Sequence, residues 1–232
     1  MSRKENVSGN TDEKEKARKL SKDEQKRLEQ FETLAENMRE KGYRRTDLTI
    51  SIVKANIFAI WLLIPAAVIG FGLFILKNRG IGISFRFPWW FFPLYLVLIA
   101  VHELIHGLTW AAFAEHHMKD IAFGFMVQYV TPYCSCKVPL ARGPYIAGAL
   151  MPLLLLGILP MIYGILQGSL PVLCMGILMT DGAAGDIMIV RNILKYHSDS
   201  SEVVYIDHPT QGGGVIFEKT EDGRLAPMPE DQ

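Results

Sequence analysis

An apolar stretch running from about Pro93 to Ala114 carries His102-Glu103-Leu104-Ile105-His106 at its centre. Its length suits a membrane-crossing helix. Two imidazoles and a carboxylate at that depth are costly, and such groups face a polar interior or a functional site. Residues i and i+4 share one helix face. His102 and His106 can therefore hold one metal ion, with Glu103 beside them as a general base. The remaining ligand must come from elsewhere in the fold.

Three more apolar stretches flank this one, at about Ile52–Leu76, Tyr145–Leu166 and Pro171–Leu194. A soluble fold buries one or two such helices, hardly four in succession. The expected fold class is an all-α polytopic membrane protein with about four transmembrane helices, a small β-strand insert and a short C-terminal β-hairpin. Of the 232 residues, half are hydrophobic and the formal net charge is zero, an average that hides a division. Residues 1–48 form a charged N-terminal tail with one helix, 49–196 a transmembrane domain, and 197–232 a polar hairpin and tail. No long basic run or aromatic–basic interleave points to nucleic acid. Cys134, Cys136 and Cys174 are an odd set without framework spacing, which predicts free thiols. The first apolar segment begins after about fifty polar residues, so it is expected to act as an uncleaved anchor.

Within the polar N-terminal part, residues 1–20 read as a disordered, charge-mixed tail. Ser21 and Glu24 have capping-box spacing, and Leu28, Phe31, Ala35 and Met38 fall on one helix face, predicting a solvated helix with a modest apolar stripe. Trp89 and Trp90 suit an interfacial aromatic belt. Ile121–Tyr133 is rich in Phe, Val, Ile and Tyr and reads as one or two strands. Pro152 and Pro160 are expected to kink the third span. Val203–Ile206 and Gly214–Phe217 flank a Gly-rich turn and suggest a small polar hairpin. Lys41, Arg44, Arg45, Lys119, Lys137, Arg142, Arg191 and Lys195 fall on one side of the spans, against Lys77, Arg79 and Arg86 on the other. The bias predicts cytosolic N- and C-termini.

A catalytic zinc site takes three protein ligands and leaves a fourth position for water. Two acidic residues lie inside another apolar span, Asp181 and Asp186. On an unbroken helix they point to different faces, so one reaches the metal and the other supports it or lines a water path. Two neutral imidazoles, one carboxylate and one hydroxide neutralise Zn²⁺, which suits a low-dielectric setting. The small residues Gly182, Ala183, Ala184 and Gly185 let spans approach closely or let the fourth span unwind beside a ligand.

With His102-Glu103-Leu104-Ile105-His106-Gly107 in a membrane helix, a strand-like insert after it, and a late Gly185-Asp186 followed by apolar residues and Lys195, the chain resembles intramembrane zinc metalloproteases of the site-2 protease type. It looks closest to a bacterial family of zincin peptidases of unknown function, over roughly residues 50–215. The resemblance implies that His102, His106 and Asp186 bind Zn²⁺ and that Glu103 is catalytic. Thr180-Asp181-Gly182 matches only in part the longer Asn-Pro-Asp-Gly-type element of those proteases. The implied activity is hydrolysis of peptide bonds in membrane-associated protein substrates, by zinc-activated water with Glu103 as general base. The implied location is the bacterial cytoplasmic membrane, with the lipid bilayer and a membrane protein or peptide substrate as partners. The competing expectation is a non-catalytic metal-binding scaffold or regulator that keeps the fold. A transporter has less support, because four spans without a repeat lack the usual inverted-repeat architecture.

Overall fold

The computed structural model describes residues 22–79, 87–126 and 131–220. The 1–20 tail, Ser21, Arg86, the part of the predicted strands at 127–130, and residues 221–232 lie outside them. The chain runs α1 (Lys22–Glu40), β1 (Tyr43–Thr49), α2 (Ile52–Lys77), α3 (Phe91–Ala111), a 3-10 turn (His117–Asp120), β2 (Ile121–Met126), β3 (Thr131–Cys136) and β4 (Leu140–Ala141). It continues through α4 (Arg142–Pro152), a π-helical turn (Leu153–Ile158), α5 (Leu159–Gln167), α6 (Leu170–Gly182), α7 (Ala184–Lys195), β5 (Val203–Asp207) and β6 (Gly213–Lys219). The fold is mostly helical, with two small antiparallel sheets.

Among the described residues, three helical segments are long and apolar enough to cross a membrane: Ile52–Lys77, Phe91–Ala111 and Arg142–Gln167. The pair α6 and α7, bent by 48°, makes a fourth if counted as one broken span. The break falls at Ala183, within the run of small residues, where no bulky side chain resists a change of direction. Pro152 ends α4 and Pro160 lies in the first turn of α5. They bracket the π-helical turn and leave the segment one long helix, because a widened turn accommodates the missing proline donors.

α6 forms the inner wall of the helical layer. Its Leu173 and Ile177 pack with Phe74 of α2, and Met161 and Ile165 of α5 close over them. Gly176 makes this possible: a Cβ there would lie 2.5 Å from the Met161 backbone nitrogen. Asn78, just past α2, donates from its side-chain amide to the carbonyls of Phe74 and Ile165, tying the end of α2 to α5. α2 otherwise turns a bare apolar surface outward, with Ile60, Trp61 and Val68 each more than 60 % exposed.

The two polar ends of the chain meet in one sheet of order β1-β6-β5-β4, with Thr46 opposite Ile216 and Tyr205 opposite both Ile216 and Leu140. The C-terminal strands, expected to be a small polar hairpin, instead carry a core. Val215, Ile216 and Phe217 are fully buried. Phe31 and Met38 of α1 pack on this sheet with Tyr43, so the predicted stripe is docked rather than solvated. β1 was not expected as a strand. Its Tyr-Arg-Arg-Thr-Asp-Leu-Thr run reads as charged loop, but an edge strand keeps such charges in solvent. Arg44 pairs with Glu218 directly across the ladder, and Arg45 with Asp47 and Glu32. β2 and β3 form a separate hairpin, with Phe123 opposite Cys134, and β3 runs beside α3.

Candidate metal centre

α3 sorts its residues by face. His102, His106 and Trp110 recur at i, i+4 and i+8 and are buried, at 5 %, 4 % and 5 % exposure. Leu104 and Leu108, on the other side, are exposed. Beyond the break at Ala183, Asp186 sits in the first turn of α7, where the helix dipole favours a carboxylate.

The structure brings His102, His106 and Asp186 together, with one ligand atom from each lying within 4.8 Å of the others. His102 Nε2 is 3.2 Å from Asp186 Oδ2, and His106 Nε2 is 3.4 Å from Asp186 Oδ1. Two donors sharing a tetrahedral zinc at about 2.0–2.1 Å stand about 3.3–3.4 Å apart. The donor set, two imidazoles and one carboxylate beside a cavity, therefore fits zinc with a position left for water. Asp181 is not in the group, and one of its carboxylate oxygens is buried without a hydrogen-bond partner.

The two histidines are held differently. His106 donates from Nδ1 to the Gly148 carbonyl at 2.8 Å, which leaves the Nε2 lone pair for a ligand. Its ring stacks on Trp110, centroids 5.2 Å apart and 14° between planes. A Cβ on residue 148 would fall 2.0 Å from Trp110 Nε1, so glycine is required for that stack. Trp110 in turn donates to the Tyr145 carbonyl at 3.1 Å. His102 Nδ1, by contrast, is buried and unpartnered. A polar atom stranded like this costs about 1–3 kcal/mol, so His102 depends on whatever its Nε2 meets.

Glu103 faces the same space. The backbone of Cys134 in β3 lies beside its carboxylate. Glu103, His106, Asp186, Tyr133 and Asp207 line one cavity of about 270 Å³. Away from this group, His116 is exposed and lies 3.5 Å from Asp120, His117 donates to the Ala111 carbonyl, and all three cysteines are free thiols, as expected. Burial pushes the Cys136 thiol up to about 12 and the Cys134 thiol higher still, so neither is a ready thiolate.

Trp110, Tyr145, Gly148 and Asp207 were not singled out from the sequence. Trp110 left a trace, one helical turn past His106. Asp207 left none, because its neighbours lie far off in the chain.

Residues 95–201, a little under half of the chain, match a family model described as "Putative zincin peptidase". No curated protein and no solved structure matches. The matched segment runs from α3 through α7 and so contains His102, Glu103, His106 and Asp186. Across the segment that holds both halves of the site, the chain is similar to zincin peptidases, a likeness that implies zinc and metallopeptidase chemistry.

Proposed function

We propose that the protein is a membrane-embedded zinc metalloendopeptidase acting on membrane-associated protein substrates. The observation that carries this reading is the grouping of His102, His106 and Asp186 beside a cavity that His106, Asp186 and Glu103 line. Zinc, when bound, supplies a Lewis acid that polarises a carbonyl and makes water nucleophilic near neutral pH. Glu103 takes a proton from the attacking water and passes it to the leaving amine. Gly148 and Trp110 hold His106 in the orientation that keeps Nε2 toward the cavity. A helical substrate must unwind first, and β3, lining the cavity with Tyr133, Cys134 and Ser135, offers backbone against which an extended stretch can lie.

The membrane setting rests on surface chemistry. Phe92, Leu96 and Val97 of α3, like the bare face of α2, leave large apolar side chains exposed that need lipid or a partner to cover them. Four crossings, with α6 and α7 as one broken span, return the chain to the sheet it left. In this reading residues 49–196 are the membrane domain, and 1–48 and 197–232 lie together on the cytosolic side of a bacterial cytoplasmic membrane.

Metal analysis beside a cleavage assay on co-expressed membrane peptides tests the proposal. Wild type is expected to hold one zinc and to cleave. His106→Ala should lose the metal, and Glu103→Gln should keep it while losing cleavage. Equal zinc in wild type and His106→Ala removes the site. Undiminished cleavage by Glu103→Gln removes the mechanism and leaves a metal-binding scaffold.

A further inference from the structure

Asp207, at the end of β5, lies six residues beyond the segment that matches the zincin family. It is half-buried and shares the cavity with Glu103, His106 and Asp186. Its two oxygens are both engaged, each in a different direction. Oδ1 accepts the Tyr145 hydroxyl at 2.5 Å, and Oδ2 accepts the Cys136 backbone N–H at 2.7 Å.

Each bond leads to one half of the site. Tyr145 lies in the first turn of α4, fully buried, its ring stacked on Trp110 with centroids 5.7 Å apart. Its carbonyl receives Trp110 Nε1–H, and one turn further along α4 the Gly148 carbonyl receives His106 Nδ1–H. Both contacts that orient His106, the stacked indole and the carbonyl, thus depend on the turn of helix that Asp207 clamps. In the other direction, Cys136 ends β3, and two residues back the Cys134 backbone lies beside the Glu103 carboxylate.

We propose that Asp207 is a positioning residue that fixes the metal ligand His106 and the base Glu103 in register with one another. The inference rests on the metallopeptidase reading. It places the C-terminal hairpin within the working part of the enzyme rather than beside it. A carboxylate suits the role because its two acceptor oxygens serve two donors at once, and charge-assisted bonds of this kind are the stronger ones. An asparagine offers a single acceptor oxygen: if that oxygen keeps the Cys136 N–H, the amide can meet the Tyr145 hydroxyl only by donating to it, so the charge-assisted pair of acceptor bonds is lost.

The test uses the full-length protein with zinc and cobalt(II) as probes. Asp207→Asn is expected to weaken zinc affinity by on the order of ten-fold, the range seen when groups behind a ligand are lost. It should also alter the visible spectrum of the cobalt form and speed amide exchange at 131–136. Tyr145→Phe cuts only the branch to His106. It should weaken metal binding similarly and leave exchange at 131–136 unchanged. Combining the two should cost no more zinc affinity than Asp207→Asn alone, since they interrupt one path. A merely structural Asp207 would lower the unfolding midpoint while leaving the affinity and cobalt spectrum of the folded protein as in wild type, and that result overturns the inference. If Asp207→Asn does not fold, Tyr145→Phe decides, and wild-type zinc affinity in that variant overturns it equally. Wild type that takes up no metal defeats the metallopeptidase reading itself. Wild type that binds zinc beside variants that bind it as tightly defeats this inference alone.

Discussion

α2 and α6 are both apolar along nearly their whole length, yet they occupy opposite environments. α2 buries little more than Gly70 and Phe74, whereas α6 buries Leu170, Leu173, Met175, Gly176, Ile177, Met179 and Thr180. Apolarity therefore does not decide which helix lies inside. Gly164 and Gly176 do, because a Cβ at either would sit 2.5 Å from a backbone nitrogen of the partner helix. α3 combines the two situations, with one face bare and apolar and the other inward and polar. His102 and His106 lie on that inward face, where Asp186 of α7 meets them.

The contrast can be broken most severely at the polar face. Glu103→Gln should lower cleavage by about 10²–10⁴-fold, the usual weight of a general base, at unchanged zinc content. Assayed on the same membrane peptides, a loss of under ten-fold would mean that proton transfer is handled elsewhere. Next comes packing. Leu173→Ala, at a fully buried position, should cost about 2 kcal/mol or more through the cavity it leaves. Val68→Ala on the bare side of α2 should stay within about 0.5 kcal/mol. Denaturation of the two variants in one detergent compares them directly, and equal losses would erase the distinction between the helices.

Glycine substitutions sharpen the same point. Gly176→Ala should destabilise by about 1–3 kcal/mol, since the α5 backbone must move away. At Gly72 of α2 a new Cβ meets nothing within 4 Å. Gly72→Ala should be neutral or stabilising by up to about 1 kcal/mol, the gain in backbone entropy. Thermal midpoints of the pair read this out, and a destabilising Gly72→Ala would show α2 to be packed rather than bare.

The gentlest effect is on pH dependence, at the sheet. Burial pushes the Asp207 carboxyl up to about 6, against the opposing pull of its Tyr145 and Cys136 donors. Burial pushes neighbouring His208 down to about 4. A raised carboxyl pKa contributes stability that is lost as pH rises from about 4 to 6, because the native state holds the proton longer. A depressed histidine pKa contributes stability that is gained as pH rises from about 4 to 6.5. The two slopes oppose each other over the shared window. Asp207→Asn should uncover the histidine slope, so that the variant loses stability on acidification from pH 6.5 to 4 more steeply than wild type. Parallel pH–stability curves would show that the two groups are not buried together in this way.

Much of this was legible in the chain. Ile52–Leu76 was expected and Ile52–Lys77 is helical, because long apolar runs need no partner to declare themselves. His102, Glu103 and His106 announced a local constellation through spacing alone. The pairing with Asp186 was narrowed but not fixed, since Asp181 competes until the bend at Ala183 turns α7 toward the histidines. What stayed hidden depends on distant parts of the chain. β1 looks like charged loop until β6, about 170 residues later, pairs with it. The Asp207 bonds to Tyr145 and Cys136 join three segments whose proximity only the closed sheet creates.

X-ray absorption spectroscopy at the zinc edge of the purified full-length protein addresses the metal centre most directly. The expected spectrum shows nitrogen and oxygen neighbours alone at about 2.0–2.2 Å, with imidazole scattering from two histidines, and it should lose an oxygen neighbour in Asp186→Ala. Sulfur neighbours at about 2.3 Å, or a spectrum unaltered in Asp186→Ala, would contradict a centre built from His102, His106 and Asp186.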